Sequence, residues 1–190
     1  MKKLLEKTYS EIGSNIAFAE AKNGALITLN TAIIALSSGL VFTGGISLHY
    51  RWLFAIFAVL MILPLTISLF SFSAALGDEW TIIKRINKAV EKNRSINDSP
   101  LNYPPKYMSF EYIHFNLTTP EKYLEAIGSN IDSVLPNSLK YQLAIQIIAL
   151  SRVAYRKFAL FNLAIKLELI ILIASILVSV VVLMLKLFGC

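Results

Sequence analysis

From Gly24 to Leu48 no charged residue interrupts the chain, and none does from Trp52 to Gly77. Leu169 to Leu185 is a third apolar run, made mostly of Leu, Ile and Val. A bilayer core about 30 Å thick needs about 20 apolar residues in a helix. Inside it the backbone must satisfy its own hydrogen bonds, so each run predicts a membrane-spanning helix. Outside the runs the pattern changes. Leu5, Tyr9, Ile12 and Ile16 recur at spacings of three and four, one face of an amphipathic helix that continues into the first span through Glu20, Ala21 and Lys22. The pentapeptide Ile12 to Ile16 recurs as Ile127 to Ile131. Nothing around it repeats, so it reads as coincidence.

Between the second and third runs the chain is polar and mixed. Asp78 to Asn93 reads as a charged helical extension with Trp80, Ile83 and Ile86 as packing residues, and Asn93 to Pro105 carries loop chemistry. Tyr107 to Leu117 is aromatic-rich and partly alternating, which predicts a short strand or extended segment. Thr118-Thr119-Pro120-Glu121 has the form of a helix start, and that helix should stop near Gly128. Pro136-Asn137-Ser138 opens a longer helix. Its stripe of Leu143, Ile147, Leu150, Ala154, Phe158, Phe161 and Ile165 keeps spacings of three and four. No Pro or Gly interrupts Ser138 to Phe188, so the helix either runs on as one rod of about 75 Å or bends near Lys166 and Glu168. The expected fold is mainly α. It has an N-terminal helix over 1–23, a transmembrane hairpin over 24–77 with spans 24–48 and 52–77, a small and mostly helical cytosolic domain over 78–168, and a third transmembrane helix over 169–188.

Composition agrees: a mean hydropathy of +0.62 and 56% hydrophobic residues exceed what a soluble domain carries. Met1 to Leu5 begins like a cleavable signal, but Glu6 and Lys7 interrupt it. The one cysteine, Cys190, predicts neither an intramolecular disulfide nor a cysteine metal cluster, and a prenylation signal would need residues after it.

Charge sets the expected orientation. Of 18 Lys and Arg, only Arg51 and Lys186 fall on one side of a three-span arrangement. Positive residues stay cytoplasmic, so the N-terminus and middle segment lie inside, His49-Tyr50-Arg51 forms a tight outer turn, and the C-terminus lies outside. Topology alone accounts for the basic excess. Phosphate or nucleotide binding and attraction to anionic lipid heads are two further readings.

Chemistry is sparse. The sequence holds no glycine-rich phosphate loop, HExxH, paired His ligands or serine elbow. No enzyme, cofactor or nucleic-acid partner is expected. His49 and His114 fall on opposite sides of the membrane. The predicted spans hold no ionisable side chain, which argues against a pump. Asn30 is their main polar residue, with Thr28, Thr31, Ser37 and Ser38 nearby. Its amide suits a hydrogen bond across a helix interface, within one bundle or between subunits. Pro64 is placed to kink the second span.

Two stretches carry a resemblance. Phe18-Ala19-Glu20-Ala21-Lys22-Asn23-Gly24-Ala25-Leu26-Ile27-Thr28-Leu29-Asn30 is similar to the opening signature of the Pycsar-type transmembrane effectors of bacterial antiphage defence. Tyr141 to Ile147, with Leu150-Ser151 and Tyr155-Arg156-Lys157-Phe158, resembles the block before their last span, and Phe110 to Tyr123 is similar in character. Glu20, Asn23 and Phe158 stand where the family more usually has Asp, Ala and Tyr. The resemblance implies an effector that acts beside a nucleotide cyclase. The cyclase makes a cyclic pyrimidine nucleotide (cyclic UMP or cyclic CMP) on infection. The effector then impairs the bacterial inner membrane, and infection aborts. A cyclic phosphodiester suits Arg or Lys and a pyrimidine suits an aromatic face. The expected ligand residues are therefore Arg152 first, then Arg156, Lys157, Lys106 and Tyr112, near Tyr107, Phe110 and Phe115. Asn30, Lys22 and Glu20 are the expected assembly or gating residues. Three spans fill their own centre, so a pore predicts a homo-oligomer in the lipid bilayer. An effector answering to cyclic oligonucleotides has a similar layout, and an accessory membrane protein that binds no nucleotide is the alternative from another class. A neighbouring cyclase gene separates these readings.

Overall fold

A computed structural model describes residues 2–43, 46–73, 109–129 and 138–187. The described residues form five helices and no strand: α1 (Lys2–Phe42), α2 (Leu48–Ser73), α3 (Phe110–Asn116), α4 (Pro120–Ala126) and α5 (Leu139–Leu187). Three of them, α1, α2 and α5, are long and apolar enough to cross a membrane. The expected helical extension over 78–93, with Trp80, Ile83 and Ile86, lies outside the described residues, as do the loop over 93–105, Lys106 and Tyr107.

α1 runs unbroken from the amphipathic segment into the first apolar run, as its periodicity predicts. One seam of it is buried: Leu5, Thr8, Ile12, Ala19, Asn23, Leu26, Asn30 and Ser37. The ion pairs Lys2–Glu6 and Lys7–Glu11, each 3.7 Å and exposed, contribute only about 0.3–0.5 kcal/mol apiece, so the seam rather than the surface fixes this helix.

The link between α1 and α2 differs from the sequence expectation. α1 ends at Phe42, before Gly44-Gly45, and α2 already begins at Leu48. His49, Tyr50 and Arg51 therefore occupy the first turn of α2 rather than a link between spans. The Arg51 guanidinium donates to the Ile46 carbonyl at 2.9 Å and the Arg51 backbone N–H to that of Ser47 at 3.2 Å. Those bonds let the helix start before the charged residue. Pro64 is buried within α2.

A second expectation is corrected at α3: Phe110 to Asn116 is helical, not extended. The aromatic residues alternate, but Phe110, Ile113 and Leu117 also repeat at three and four. Burial of Ile113 and Leu117 selects the helical period. α4 follows its capping chemistry. Thr119 accepts from the Lys122 N–H, and Pro120 occupies the first turn. At its other end Gly128 has φ +76°, the Ser129 N–H donates to the Leu124 carbonyl and the Gly128 N–H to that of Glu125, both at 2.9 Å. This is a Schellman ending, and its left-handed residue favours Gly. The pentapeptide shared by 12–16 and 127–131 is thus helix in α1 and begins as a helix-ending turn after α4. α5 opens on Ser138, whose hydroxyl accepts from the Tyr141 N–H at 3.4 Å. It continues for 49 residues with no break at Lys166 or Glu168.

The chain divides into two compact units, one formed by 1–21 and 73–159 and the other by 22–72 and 160–190. The first has a hydrophobic core of Leu5 and Ile12 from α1, Ile113 from α3 and Leu117 just after it, Tyr123 and Leu124 from α4, and Ala144, Ile147, Ile148 and Ala154 from α5. In the second, Ala58, Met61 and Ile67 are buried, whereas Ile56, Val59, Leu63, Ile170, Ile173 and Ile176 are each more than half exposed. Apolar surface of that extent on the outside of a helix is what lipid would cover.

Candidate functional site

In the first unit α3 lies on α5 through a run of rings. Phe110 and Phe158 stack with centroids 5.3 Å apart, and His114 stacks on Tyr155 at 4.6 Å. Phe115 meets Tyr155 edge-on at 5.0 Å. The spacing explains the match: 110 and 114 share one face of α3, and 155 and 158 share one face of α5. Phe115 keeps 39% of its surface exposed.

Arg152 sits one turn before Tyr155. It is exposed, and its Nη2 donates to the Thr118 carbonyl at 3.3 Å. That bond holds the guanidinium beside the segment joining α3 to α4. Arg156, four residues on and half-buried, falls on the same side of the helix. Arg152 and Arg156 therefore lie beside the ring stack, in which Tyr155 is buried and His114 half-buried. Tyr112, from the same expected set, packs half-buried against the hydrophobic core. Lys106 is outside the described residues.

Lys157 goes elsewhere. Its side chain is 2% exposed, and its ammonium donates to Glu20 Oε1 at 2.9 Å, with Glu20 47% exposed. Two residues assigned separately from sequence, one to ligand and one to assembly, are thus partners. Lys22, the third expected assembly residue, lies in the second unit with its ammonium 5.5 Å from the Phe161 ring centroid, a cation–π distance.

A smaller polar contact joins α4 to α5. Tyr141 donates to Glu121, which holds the Glu121 carboxyl below the usual carboxylate range and raises the Tyr141 phenol. Burial raises the Tyr123 phenol, and the Thr8 hydroxyl beside it acts in the opposite direction. Among the described residues no three His, Cys, Asp or Glu side chains converge where a metal ion would sit.

The second unit is tied by polar residues inside its apolar helices. Asn23 Nδ2 donates to Ser71 Oγ at 2.7 Å, both buried. A double-mutant cycle of Asn23→Ala and Ser71→Ala is expected to give a coupling of about 0.6 kcal/mol, at most about 1.7. Additive losses in thermal stability would show that the bond does not hold the hairpin. Asn30, the expected buried amide, faces Glu168. From the sequence Glu168 stands just before the third span, with nothing to pair it with Asn30. The signal that locates it is spacing: Leu160, Ala164 and Glu168 are buried at every fourth position of α5.

The comparisons with known proteins cover almost the same stretch as these helices. Residues 4–186 match the model of the Pycsar effector protein domain, PycTM. No curated protein and no solved structure matches the chain. The match begins in the first turns of α1 and ends in the last turn of α5, so it takes in both compact units, and the chain belongs to the Pycsar effector family.

Proposed function

We propose that this protein is a non-enzymatic antiphage effector that senses a cyclic nucleotide made by a partner cyclase and impairs the inner membrane. Family membership supports the defence role, and three membrane-length apolar helices support the membrane as its target. The observation that carries the sensing is the exposed Arg152 beside the stacked Tyr155 and His114. A guanidinium suits the single negative charge of a cyclic phosphodiester, and Phe115, 39% exposed at the edge of Tyr155, is the aromatic ring available to a pyrimidine. Arg156 is a second cation on that side. Lys106 and Tyr112 remain in the proposed ligand set. Lys157 is committed to Glu20 and contributes by holding that contact.

In this reading the unit containing Arg152 faces the cytoplasm, the N-terminus is inside and the C-terminus outside. The ligand favours one arrangement of the protein by its differential affinity. α5, continuous from Leu139 to Leu187, carries the shift into the third span of a homo-oligomer. Asn30 and Lys22, both inside the second unit, are the expected assembly or gating residues.

Calorimetry of the full-length protein in detergent with cyclic UMP, cyclic CMP and cyclic oligonucleotides tests the ligand class. Arg152→Ala is expected to weaken binding roughly 10- to 100-fold, the loss of a charge-assisted hydrogen bond worth about 1.5–3 kcal/mol. Binding of a cyclic nucleotide that Arg152→Ala leaves unchanged would move the site elsewhere. Binding of none would remove the sensing role.

A further inference from the structure

Asn30 is fully buried and Glu168 is 3% exposed. The Glu168 carboxyl faces the Asn30 amide, yet neither amide atom of Asn30 nor Oε2 of Glu168 has a hydrogen-bond partner. Polar groups buried in that state cost free energy unless something satisfies them. An ionisable residue among membrane helices is a functional-site candidate whose partner should be named.

The charge around the pair decides what satisfies it. On α1, no ionisable residue follows Lys22, and Lys22 itself is eight residues before Asn30, over the Phe161 ring. On α2, the titratable residues are His49, Tyr50 and Arg51, all in its first turn. The other end of α2 meets α1 at Asn23–Ser71. On α5, Lys166 is exposed, and the residues from Leu169 to Leu185 are uncharged. Among the described residues no cation pairs with Glu168. A metal ion would need several oxygen ligands, and this pair supplies two side chains. A single proton on Glu168 resolves every orphan. The acid O–H donates to Asn30 Oδ1, Asn30 Nδ2 donates to the acid carbonyl oxygen, and no bare charge remains.

We propose that Asn30 and Glu168 form a proton-binding site that latches α1 to α5, with Glu168 holding the proton as a neutral carboxylic acid. The latch joins two helices that run parallel here: Lys22 meets Phe161 and, one seam repeat later, Asn30 meets Glu168. Loss of the proton leaves a carboxylate without a counter-ion and drives the helices apart, so the packing of this unit answers to proton supply. The inference does not depend on nucleotide sensing.

Infrared spectroscopy of the full-length protein in lipid bilayers reads the proton directly. At neutral pH, protein carrying carbon-13 glutamate is expected to show a protonated-carboxyl stretch. Glu168→Gln should abolish that band, and Asn30→Leu should shift it by removing the amide partner. No such band in the wild-type protein at neutral pH, which needs no variant to observe, would overturn the proposal. So would a band that Asn30→Leu leaves in place. Thermal unfolding in the same lipid supplies a second readout. Glu168→Gln, which mimics the neutral acid, should keep the wild-type midpoint while Glu168→Ala lowers it, and Asn30→Ala added to Glu168→Ala should lower it no further. A Gln variant that falls as far as the Ala variant would show that the carboxylate, not the acid, is the form the protein holds.

Discussion

Glu20→Gln is expected to destabilise the protein by about 2–3 kcal/mol, through a cation left behind rather than a contact removed. The Lys157 ammonium is buried within 2.9 Å of Glu20 Oε1. Breaking a fully buried pair by removing one partner costs about 3–5 kcal/mol, because the remaining charge has lost its counter-ion. Glu20 is 47% exposed, and water screening at that end reduces the loss. For a chain of this length the thermal midpoint should fall by roughly 4–12 °C, measured in one detergent at fixed concentration. Lys157→Met should cost less, since it keeps the apolar stem in place and leaves Glu20 free to be hydrated. The order of the two variants is the test. Equal, small losses would mean the pair behaves as an ordinary surface salt bridge.

Leu124→Ala is expected to cost about 2–5 kcal/mol, the range for truncating a buried Leu where the surroundings relax only in part. Leu124 is 1% exposed in a core built from α1, α3, α4 and α5. Its carbonyl also accepts the Ser129 N–H that closes the end of α4, so the backbone around it is pinned and collapse into the cavity is restricted. The neighbouring Lys122→Ala, at an exposed position of the same helix, should change stability by less than about 0.5 kcal/mol. Equal effects at the two positions would contradict the core described above.

What could be read from the sequence follows from how local each signal is. The three apolar runs, the Thr119-Pro120 start and the stop at Gly128 each need only a few residues in a row, and each is present in the structure. The segment around Tyr112 was ambiguous because its alternation and its three–four spacing coexist. Only burial of Ile113 and Leu117 against other helices selects one. The repeated pentapeptide makes the same point: identical residues 12–16 lie within a helix, whereas residue 128 ends one. The site was less legible still. Arg152 stands first among the expected ligand residues, and it is exposed on its helix. Lys157 looked equivalent to it, and only its partner 137 positions away distinguishes the two. Glu168 looked like a boundary residue because hydropathy marks where charges stop; that it faces Asn30 depends on the register of α5 against α1.

In the proposed mechanism a cyclic nucleotide switches this protein into a state that breaches a bilayer. Dye release from liposomes reconstituted with the full-length protein measures that step without phage, cyclase or host. Cyclic UMP or cyclic CMP is expected to release trapped dye in a dose-dependent way from liposomes carrying the protein and not from empty ones. Arg152→Ala should require roughly 10- to 100-fold more nucleotide for the same release. Intact liposomes at every concentration of both nucleotides and of cyclic oligonucleotides, with correctly inserted and folded protein, would contradict it.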